Sequence, residues 1–574
     1  MHPATTKKTG TQIIIGVLLT GLVLSLALLA YTPPFSRDAL IHHLQLPKLY
    51  LQHGGIYEIP ELIFSYYPIN LDLLYVGALS LGSDILAKYI HMLFGFGTAL
   101  LLYLHLRKRL SSTYGILGAL FFLSIPIIVK LSITVYVDLG LVFFSTASLL
   151  LLFRWLETKR LRDLLLAGIC CGLGIGTKYN GLLVLFILTF ILPILFIRTQ
   201  EQKQGTARPA VKAAALFCFA AILAVSPLLI RNTIWTGNPL YPLYNGFFNP
   251  TASPAPAEHQ VKENEESNAE RVSSGARGVF ARRYVLYQES VLQLLLLPVR
   301  IFFEGRDNDP RYFDGRLNPF LLFLPLLSFL GIRQDKKQVL LEKFTLTAFS
   351  LFYFLFAFNT GVLRVRYLTP MVPFLVILSM YGLKNLGGLA EQYTNKIRFA
   401  KLAAPLTITL LLLWNGSYLW QQFEEVDPLS YVTGRISRDE YLTQKIPEYP
   451  VMQYANKNLP DSAKILCLFL GSRGYYLDKK HIFDSYGNHN LLLSWLQQPE
   501  SSLDTVLHNL QEQKISHLLV RADLMVQWLN TAKRPTQELW NQLNSNHLIA
   551  VHTHLNYILF QVNFSSALPT AQMP

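Results

Sequence analysis

Residues 36–75 read SRDALIHHLQLPKLYLQHGGIYEIPELIFSYYPINLDLLY. This stretch holds too many carboxylates, imidazoles and aromatic rings to cross a bilayer, whereas the segments on either side of it are apolar enough to cross. It is therefore expected to lie at the membrane surface. Apolar residues follow Asp38 at helical spacing, which predicts a short interfacial helix with this carboxylate at its N-terminal end.

The composition of the chain is that of a polytopic membrane protein. Hydrophobic residues make up 51% of the 574 residues and charged residues 15%, which lies outside the usual range for soluble proteins. The formal net charge is +14, but the basic residues lie in the gaps between apolar runs, so membrane topology explains them better than a nucleic-acid partner does. The four cysteines show neither a disulfide framework nor a metal-binding spacing.

Apolar runs predict eleven membrane spans. The first is residues 13–30, preceded by Lys7 and Lys8, which indicates a cytoplasmic N-terminus; a cleaved signal peptide is the alternative. Residues 70–82 are apolar but short and include Asp72, so they are predicted to form a second surface helix. The other spans are expected near residues 85–106, 113–131, 136–154, 162–177, 180–197, 211–230, 318–332, 344–359, 367–386 and 402–420.

This span count makes every predicted cytoplasmic loop basic, as the positive-inside rule requires. Treating residues 70–82 as a full crossing would turn those loops outward. An odd number of spans leaves everything after about residue 421 outside the cytoplasm. The sequence therefore predicts a multi-pass protein of the inner (cytoplasmic) membrane with an extracytoplasmic C-terminal region.

The predicted fold is mainly α, with two regions. Residues 1–423 form a bundle of about eleven transmembrane helices, in which 33–83 are the first outer loop, with its surface helices, and 231–317 a long outer loop. Residues 290–303 within that loop either re-enter the membrane or lie along it.

Residues 424–574 form a small extracytoplasmic α/β domain. Its strands are expected at residues 464–470, 517–521, 548–552 and 557–562, with a helix at 502–513. The domain carries no Gly-rich phosphate loop, zinc spacing or nucleophile elbow, so an accessory role in acceptor binding or stability is expected.

Several basic residues are predicted to lie on the outer side of the membrane, where the positive-inside rule does not account for them. Snorkelling into the headgroups explains about half of them. Those in the aromatic, turn-rich segments 177–181 (TKYNG), 231–242 (RNTIWTGNPLYP) and 364–373 (RVRYLTPMVP) are better suited to hold a lipid-linked phosphate. Lys178 is the strongest candidate, because a lysine between two apolar spans is costly unless it is paired or hydrated.

The order of these features resembles the polytopic glycosyltransferases of the C-type fold, close to family 39. That family includes the protein O-mannosyltransferases and the bacterial transferase that adds aminoarabinose to lipid A. The likeness covers roughly residues 12–420. It rests on RDALIHHLQLPKLY with Asp38, SYYPINLDLLY, the Tyr-Val-Asp at 136–138, GLGIGTKYNG, RNTIWTGNPLYP and RYLTPMVP.

The resemblance implies transfer of a sugar from a polyprenyl-phosphate carrier to a lipid-linked glycan, lipid or protein acceptor, by an inverting single displacement. Asp38 matches the family's loop carboxylate and is the candidate general base. The candidates for the donor phosphate are Lys178, Arg231, Arg364 and Arg366. The candidates for other contacts with the substrate or the cavity are His42, His43, Lys48, Tyr67, Asn70 and Asp138.

No cofactor is assigned. Some members of the family have an acidic pair where this chain has Asp38-Ala39, which puts a divalent metal in doubt. A metal stays open as an alternative, although no spacing requires one. The side chains that could supply ligands are His42, His43, Glu58, Glu61 and Asp72.

Other interpretations remain open. Asp38 could simply complement a helix dipole, Asp138 could cap the helix that follows it, and the aromatic residues could form an interfacial belt. A transporter or lipid flippase would also need many spans, but transporters carry repeats and mid-span charges, whereas the polar residues here collect at one face. A polymerase or ligase of lipid-linked glycans is a third alternative. The sugar, the acceptor and the oligomeric state are left open.

Overall fold

The computed structural model describes residues 10–200, 205–250, 278–358, 362–393, 402–484 and 491–565. Lys7, Lys8 and residues 251–277 of the predicted outer loop lie outside these ranges. The chain divides into two compact units. The helical unit comprises residues 1–32, 68–231 and 269–432, and the α/β unit comprises residues 33–67, 232–268 and 433–574.

The described residues are mainly helical. In chain order the α-helices are α1 (Gly10–Ala30), α2 (Gln45–His53), α3 (Asn70–Ser80), α4 (Asp84–Arg109), α5 (Ser112–Ser124), α6 (Pro126–Ser132), α7 (Asp138–Thr158), α8 (Leu161–Ile175), α9 (Gly181–Thr199), α10 (Ala207–Thr236), α11 (Asn245–Phe248), α12 (Val279–Tyr287), α13 (Val291–Leu295), α14 (Leu297–Arg300), α15 (Phe320–Leu327), α16 (Lys337–Ala357), α17 (Val372–Tyr393), α18 (Ala403–Val426), α19 (Pro428–Val432), α20 (Arg438–Lys445), α21 (Tyr449–Asn458), α22 (Leu492–Trp495), α23 (Leu503–Glu512), α24 (Ala522–Thr531) and α25 (Arg534–His547). A five-residue π-helix, Ala39–His43, follows Asp38 and leads into α2, so the helix predicted there is present.

Seven helices in the described ranges are long and apolar enough to cross a membrane: α1, α4, α7, α9, α10, α16 and residues 365–389, which include most of α17. The pair α5 and α6, bent by 70°, raises the number to eight at most. The prediction of a multi-pass membrane protein is confirmed, but the count of eleven spans is not.

The three remaining predicted spans contain helices that are short or diluted by polar residues. Helix α8 has 15 residues and α15 has eight, fewer than the roughly 20 that a bilayer needs. Helix α18 has 24 residues, but Asn415 and Tyr418 interrupt its apolar run. Residues 290–303 form the short helices α13 and α14.

Helices α8 and α10 pack with their backbones in close approach. A Cβ added at Gly172 would lie 2.2 Å from the carbonyl oxygen of Ala221, and one added at Gly168 would lie 2.5 Å from that of Phe217. Glycines four residues apart on one helix face permit this approach, which is a common way for helices to associate in membranes.

The α/β unit contains a five-stranded sheet in the order β2-β1-β3-β5-β4. Its strands are β1 (Lys464–Leu468), β2 (Lys480–Asp484), β3 (His517–Arg521), β4 (Leu548–His554) and β5 (Tyr557–Val562). Strand β1 pairs in parallel with β2 and β3, whereas β5 pairs antiparallel with β3 and β4. Both faces of the sheet carry apolar cores.

The four strands predicted from the sequence are present, and β2 was missed because its burial is partial and its first residues are Lys and His. The segment that joins β1 to β2, residues 469–479, is called the β1–β2 connection below. The domain boundary placed at residue 424 stays a prediction.

Replacing Gly172 with leucine should lower the thermal stability of the full chain in detergent. The new side chain starts against the backbone of α10, and overpacking of this kind costs about 1–3 kcal/mol or more. Gly16→Leu is the matched control, since a Cβ at Gly16 meets nothing within 4 Å. Equal melting temperatures for the two variants would contradict the close packing of α8 on α10.

The stability of the α/β unit should depend on pH through Asp484. This carboxyl is 2% exposed, its Oδ2 accepts a hydrogen bond from Leu493 N (2.8 Å), and burial raises its pKa to about 7. The folded state therefore holds a proton that the unfolded chain releases near pH 4, and stability declines as pH rises from about 4 to 7.

Asp484→Asn should raise the melting temperature at pH 8. The gain in the free energy of unfolding should be up to about 4 kcal/mol at pH 8 and should shrink toward pH 5. Asp504→Asn, at an exposed carboxyl of the same unit, is the control. Melting curves of the full chain at a series of pH values measure both variants, and a gain from Asp484→Asn that grew as pH fell would contradict the assignment.

Candidate active site

A buried ion pair lies where three segments of the helical unit meet. Asp138 is the first residue of α7 and is 3% exposed. Lys178 lies in the turn between α8 and α9, and its Nζ is 2.6 Å from Asp138 Oδ1. The same ammonium lies 5.1 Å from the centroid of the Tyr367 ring. The structure therefore pairs the lysine that was expected to need a partner.

A second cation, Arg366, belongs to the same cluster. Its guanidinium lies 5.4 Å from the Tyr136 ring and 5.3 Å from the Tyr367 ring, and its charge acts on Asp138. The aromatic faces restrict the guanidinium and attract its charge. Lys178 and Arg366 thus both lie near the carboxylate of Asp138.

The turn that carries Asp138 is held by hydrogen bonds that the sequence did not reveal. His91 is fully buried. Its Nε2 accepts from Leu139 N (3.0 Å) and its Nδ1 lies 3.0 Å from Thr134 O. Because a carbonyl only accepts, His91 Nδ1 carries the proton and the ring is neutral. Tyr75 donates from its hydroxyl to the carbonyl of Tyr136.

Asn70 supports the opposite side of the same cluster. Its backbone N donates to Gly176 O (3.0 Å) and its Nδ2 to Leu173 O (3.4 Å). These bonds satisfy carbonyls at the end of α8, which a helix terminus otherwise leaves unpaired. The structure therefore gives Asn70, a candidate for substrate contact, a role in holding the turn with Lys178.

Arg364 lies in a separate ionic group. Its Nη1 is 3.4 Å from Asp314 Oδ2, and Asp314 also lies 3.8 Å from Lys130. Lys130 in turn lies 3.3 Å from Asp307. An acid of the 305–316 loop therefore offsets part of the charge of Arg364. Arg231 lies in the last turns of α10.

Asp38 belongs to the α/β unit, where it is half-buried and directly precedes the π-helix. The ring of His42 stacks on that of Phe64 (centroids 4.1 Å apart) and contacts that of His43 (4.0 Å). Tyr67 packs 5.4 Å from Phe64. The candidates His42, His43 and Tyr67 thus belong to one run of contacting rings, joined through Phe64.

The segment RNTIWTGNPLYP packs against this loop. Asn232 Nδ2 donates to Tyr66 O (2.8 Å) and Tyr241 O (3.3 Å). Tyr66 meets Trp235 and Tyr241 edge-on and donates to Glu58 Oε1 (2.6 Å). These aromatic residues therefore contact one another rather than acting as separate belt residues.

In the part of the chain that the structure describes, no three His, Cys, Asp or Glu side chains converge as a metal site. Of the ligands considered from the sequence, His42 stacks on Phe64, Glu58 accepts from Tyr66, and Asp72 is 2% exposed.

Comparisons with known proteins agree with this architecture. Residues 78–230 match the family model described as dolichyl-phosphate-mannose-protein mannosyltransferase. The fold is similar to ArnT from Cupriavidus metallidurans bound to undecaprenyl phosphate, with a TM-score of 0.57 and 12% identity, covering 98% of this chain and 100% of that one. It is also similar to the oligosaccharyltransferase AglB from Archaeoglobus fulgidus in complex with an inhibitory peptide and a dolichol-phosphate, with a TM-score of 0.51 and 12% identity, covering 94% of this chain and 74% of that one. No curated protein sequence matches.

The structural likeness defines the fold as that of the C-type glycosyltransferases. With the match of residues 78–230 to the mannosyltransferase family model, it supports a membrane glycosyltransferase. The fold and the enzyme class expected from the sequence are confirmed. The transporter alternative is not supported.

Removing one charge of the Asp138–Lys178 pair should lower the stability of the protein more than removing both. Asp138→Asn leaves the lysine without its carboxylate and should cost about 3 kcal/mol, whereas the double variant Asp138→Asn, Lys178→Gln should recover most of that loss. Transfer activity should stay low in both variants, because neither keeps the ion pair. The double variant restores charge balance, which affects stability only. Melting temperature and sugar transfer measure the two effects.

The exposed pair Arg534–Glu538, 2.8 Å apart, is the control for that cycle, because exposed pairs contribute about 0–1 kcal/mol. Additive losses in the Asp138–Lys178 double variant would show that the two side chains are not coupled.

Proposed function

We propose that the protein transfers a sugar, with inversion, from a polyprenyl-phosphate carrier to an acceptor at the extracytoplasmic face of the inner membrane. The observation that carries the proposal is the cluster in which Lys178 and Arg366 both act on Asp138 and both approach the Tyr367 ring. Two cations held together at the ends of membrane helices suit a lipid-linked phosphate. The undecaprenyl phosphate bound by ArnT and the dolichol-phosphate bound by AglB support this donor class.

The cations act on the leaving group in this proposal. As the bond between the anomeric carbon and the phosphate oxygen breaks, negative charge grows on the departing polyprenyl phosphate. Lys178 and Arg366 stabilise that charge, and the Tyr367 ring, which both approach, keeps them in place before the reaction. Preorganised charge of this kind is the largest contribution to many enzymatic rate enhancements. Arg231 and Arg364 are proposed to add to the positive field.

Asp38 is proposed as the general base. Its carboxylate takes the proton of the acceptor hydroxyl while that oxygen forms the new bond to the anomeric carbon, on the face opposite the phosphate. One displacement inverts the anomeric configuration and yields glycosylated acceptor and polyprenyl phosphate. The sugar is a hexose or a pentose, and the acceptor a lipid-linked glycan, a lipid or a protein. The position of Asp38 at the start of the π-helix supports this role.

The proposed orientation rests on the basic loops. Helix α4 ends in Arg107, Lys108 and Arg109, and the positive-inside rule places such ends in the cytoplasm. Asp138 opens α7 and Glu157 lies in its last turn beside Arg109, so the Asp138 end of the unit is proposed to face outward. This supports a cytoplasmic N-terminus and an extracytoplasmic α/β domain.

Asp38→Asn should lower kcat by about 10²- to 10⁴-fold, because the amide cannot accept the proton. Binding of undecaprenyl phosphate, measured in detergent, should be unchanged. The assay uses full-length protein in proteoliposomes with a panel of labelled undecaprenyl-phosphate hexoses and pentoses. Asp504→Asn and Arg534→Met, both at exposed positions, are the controls. Transfer by Asp38→Asn at the wild-type rate would remove the proposed base.

A further inference from the structure

The loop that carries Asp38 is held on both sides of this residue by the β1–β2 connection. The hydroxyl of Tyr476 donates to the carbonyl of Pro34, four residues before Asp38 (2.7 Å). The backbone N of Tyr475 donates to the carbonyl of Leu40, two residues after it (3.2 Å). Residues 469–479 therefore hold the backbone both before and after Asp38.

A third anchor is Lys48 on α2. Its Nζ donates to Tyr475 O (2.7 Å), Leu477 O (3.2 Å) and Asp478 Oδ1 (2.7 Å). An ammonium has three protons, and these contacts use all of them. Although it was a candidate for substrate contact, Lys48 binds the β1–β2 connection, and its side chain is only 16% exposed.

This anchor is linked to Asp38 by continuous helical hydrogen bonds. Lys48 N donates to Leu44 O (3.0 Å), and Leu44 N donates to Ala39 O (2.9 Å). Since Ala39 directly follows Asp38, a shift of α2 at Lys48 moves the start of the π-helix as well.

Close packing between α2 and the sheet reinforces the anchor. Gln45 Nε2 lies 3.3 Å from His481 Nε2, and His481 Nδ1 donates to Lys479 O (2.8 Å). Burial lowers the pKa of His481 to about 4, so the neutral ring accepts from Gln45. A Cβ at Gly474 would lie 2.5 Å from His481 Nε2 and 3.1 Å from Gln45 Nε2. The backbone at residue 474 therefore packs directly against these two side chains.

We infer that the β1–β2 connection positions the carboxylate of Asp38 for turnover, with Lys48 and Tyr476 as the positioning residues. The α/β domain then contributes to catalysis through the loop it holds, beyond the accessory role expected from the sequence. This inference rests on the proposed role of Asp38 as the base.

The test compares Lys48→Met and Tyr476→Phe with Lys479→Met in the full-length protein. Lys479 lies in the same connection, but its Nζ binds the exposed Asp461 (2.7 Å). Hydrogen exchange of peptides covering residues 34–50 reports on the loop without any substrate. Transfer from the labelled undecaprenyl-phosphate panel in proteoliposomes reports on kcat and KM separately.

Lys48→Met and Tyr476→Phe should speed exchange in residues 34–50 and lower kcat about 10- to 100-fold, with the donor KM changed by no more than about twofold, because a misplaced base affects chemistry more than binding. Lys48→Arg should recover much of kcat, since a guanidinium can donate to the same carbonyls. Lys479→Met should match the wild type in both measurements.

Unchanged exchange in Lys48→Met and Tyr476→Phe would overturn the anchoring, and faster exchange with an unchanged kcat would overturn the positioning. Failure of the proposed function looks different. If Asp38→Asn turns over normally, the base assignment falls while the exchange result still reports whether the loop is anchored.

Discussion

The ion pair of Asp138 and Lys178 is the interaction on which the helical unit's site depends. Charge near membrane depth is costly unless it is paired, so the ends of α7, α8 and α9 must meet closely enough to bring the two side chains together. Gly176 permits this meeting, because a Cβ there would lie 2.2 Å from Asn70 Nδ2. The hydrogen bonds of Asn70 and His91 then fix the two turns that carry the pair.

The other end of α7 shows what a purely structural ion network looks like. Glu342 accepts from His105 (2.7 Å) and Tyr381 (3.2 Å) and lies 2.8 Å from Arg109 Nε, while Arg109 also binds Glu157 (2.6 Å). This network ties α4, α7, α16 and α17 together. At the Asp138 end, Lys178 pairs with Asp138 and Arg366 lies against two aromatic rings, and we propose that this end binds an anionic ligand.

Sequence reasoning reached those features that depend on local pattern. Apolar spacing after Asp38 predicted a helix, and the cost of a lysine between spans predicted that Lys178 needs a partner. The partner itself lies 40 residues away, and only the antiparallel packing of α7 and α8 brings it near. The eleven spans predicted from hydropathy are not confirmed, because helices such as α8 are apolar but short. The anchoring of Lys48 on residues about 430 positions later has no local signal at all.

The candidate groups belong to two compact units, and the proposed reaction gives a chemical rationale for this. A lipid phosphate is confined to the membrane interface, so cations proposed to hold it belong on helix ends whose depth is fixed by the bilayer. The acceptor hydroxyl arrives from the aqueous side and differs in size and shape from one acceptor to the next. In the proposed mechanism the base lies on a loop that the β1–β2 connection holds, whereas Lys178 and Arg366 act on the donor. We therefore expect changes in the β1–β2 connection to affect the step at the acceptor more than binding of the donor.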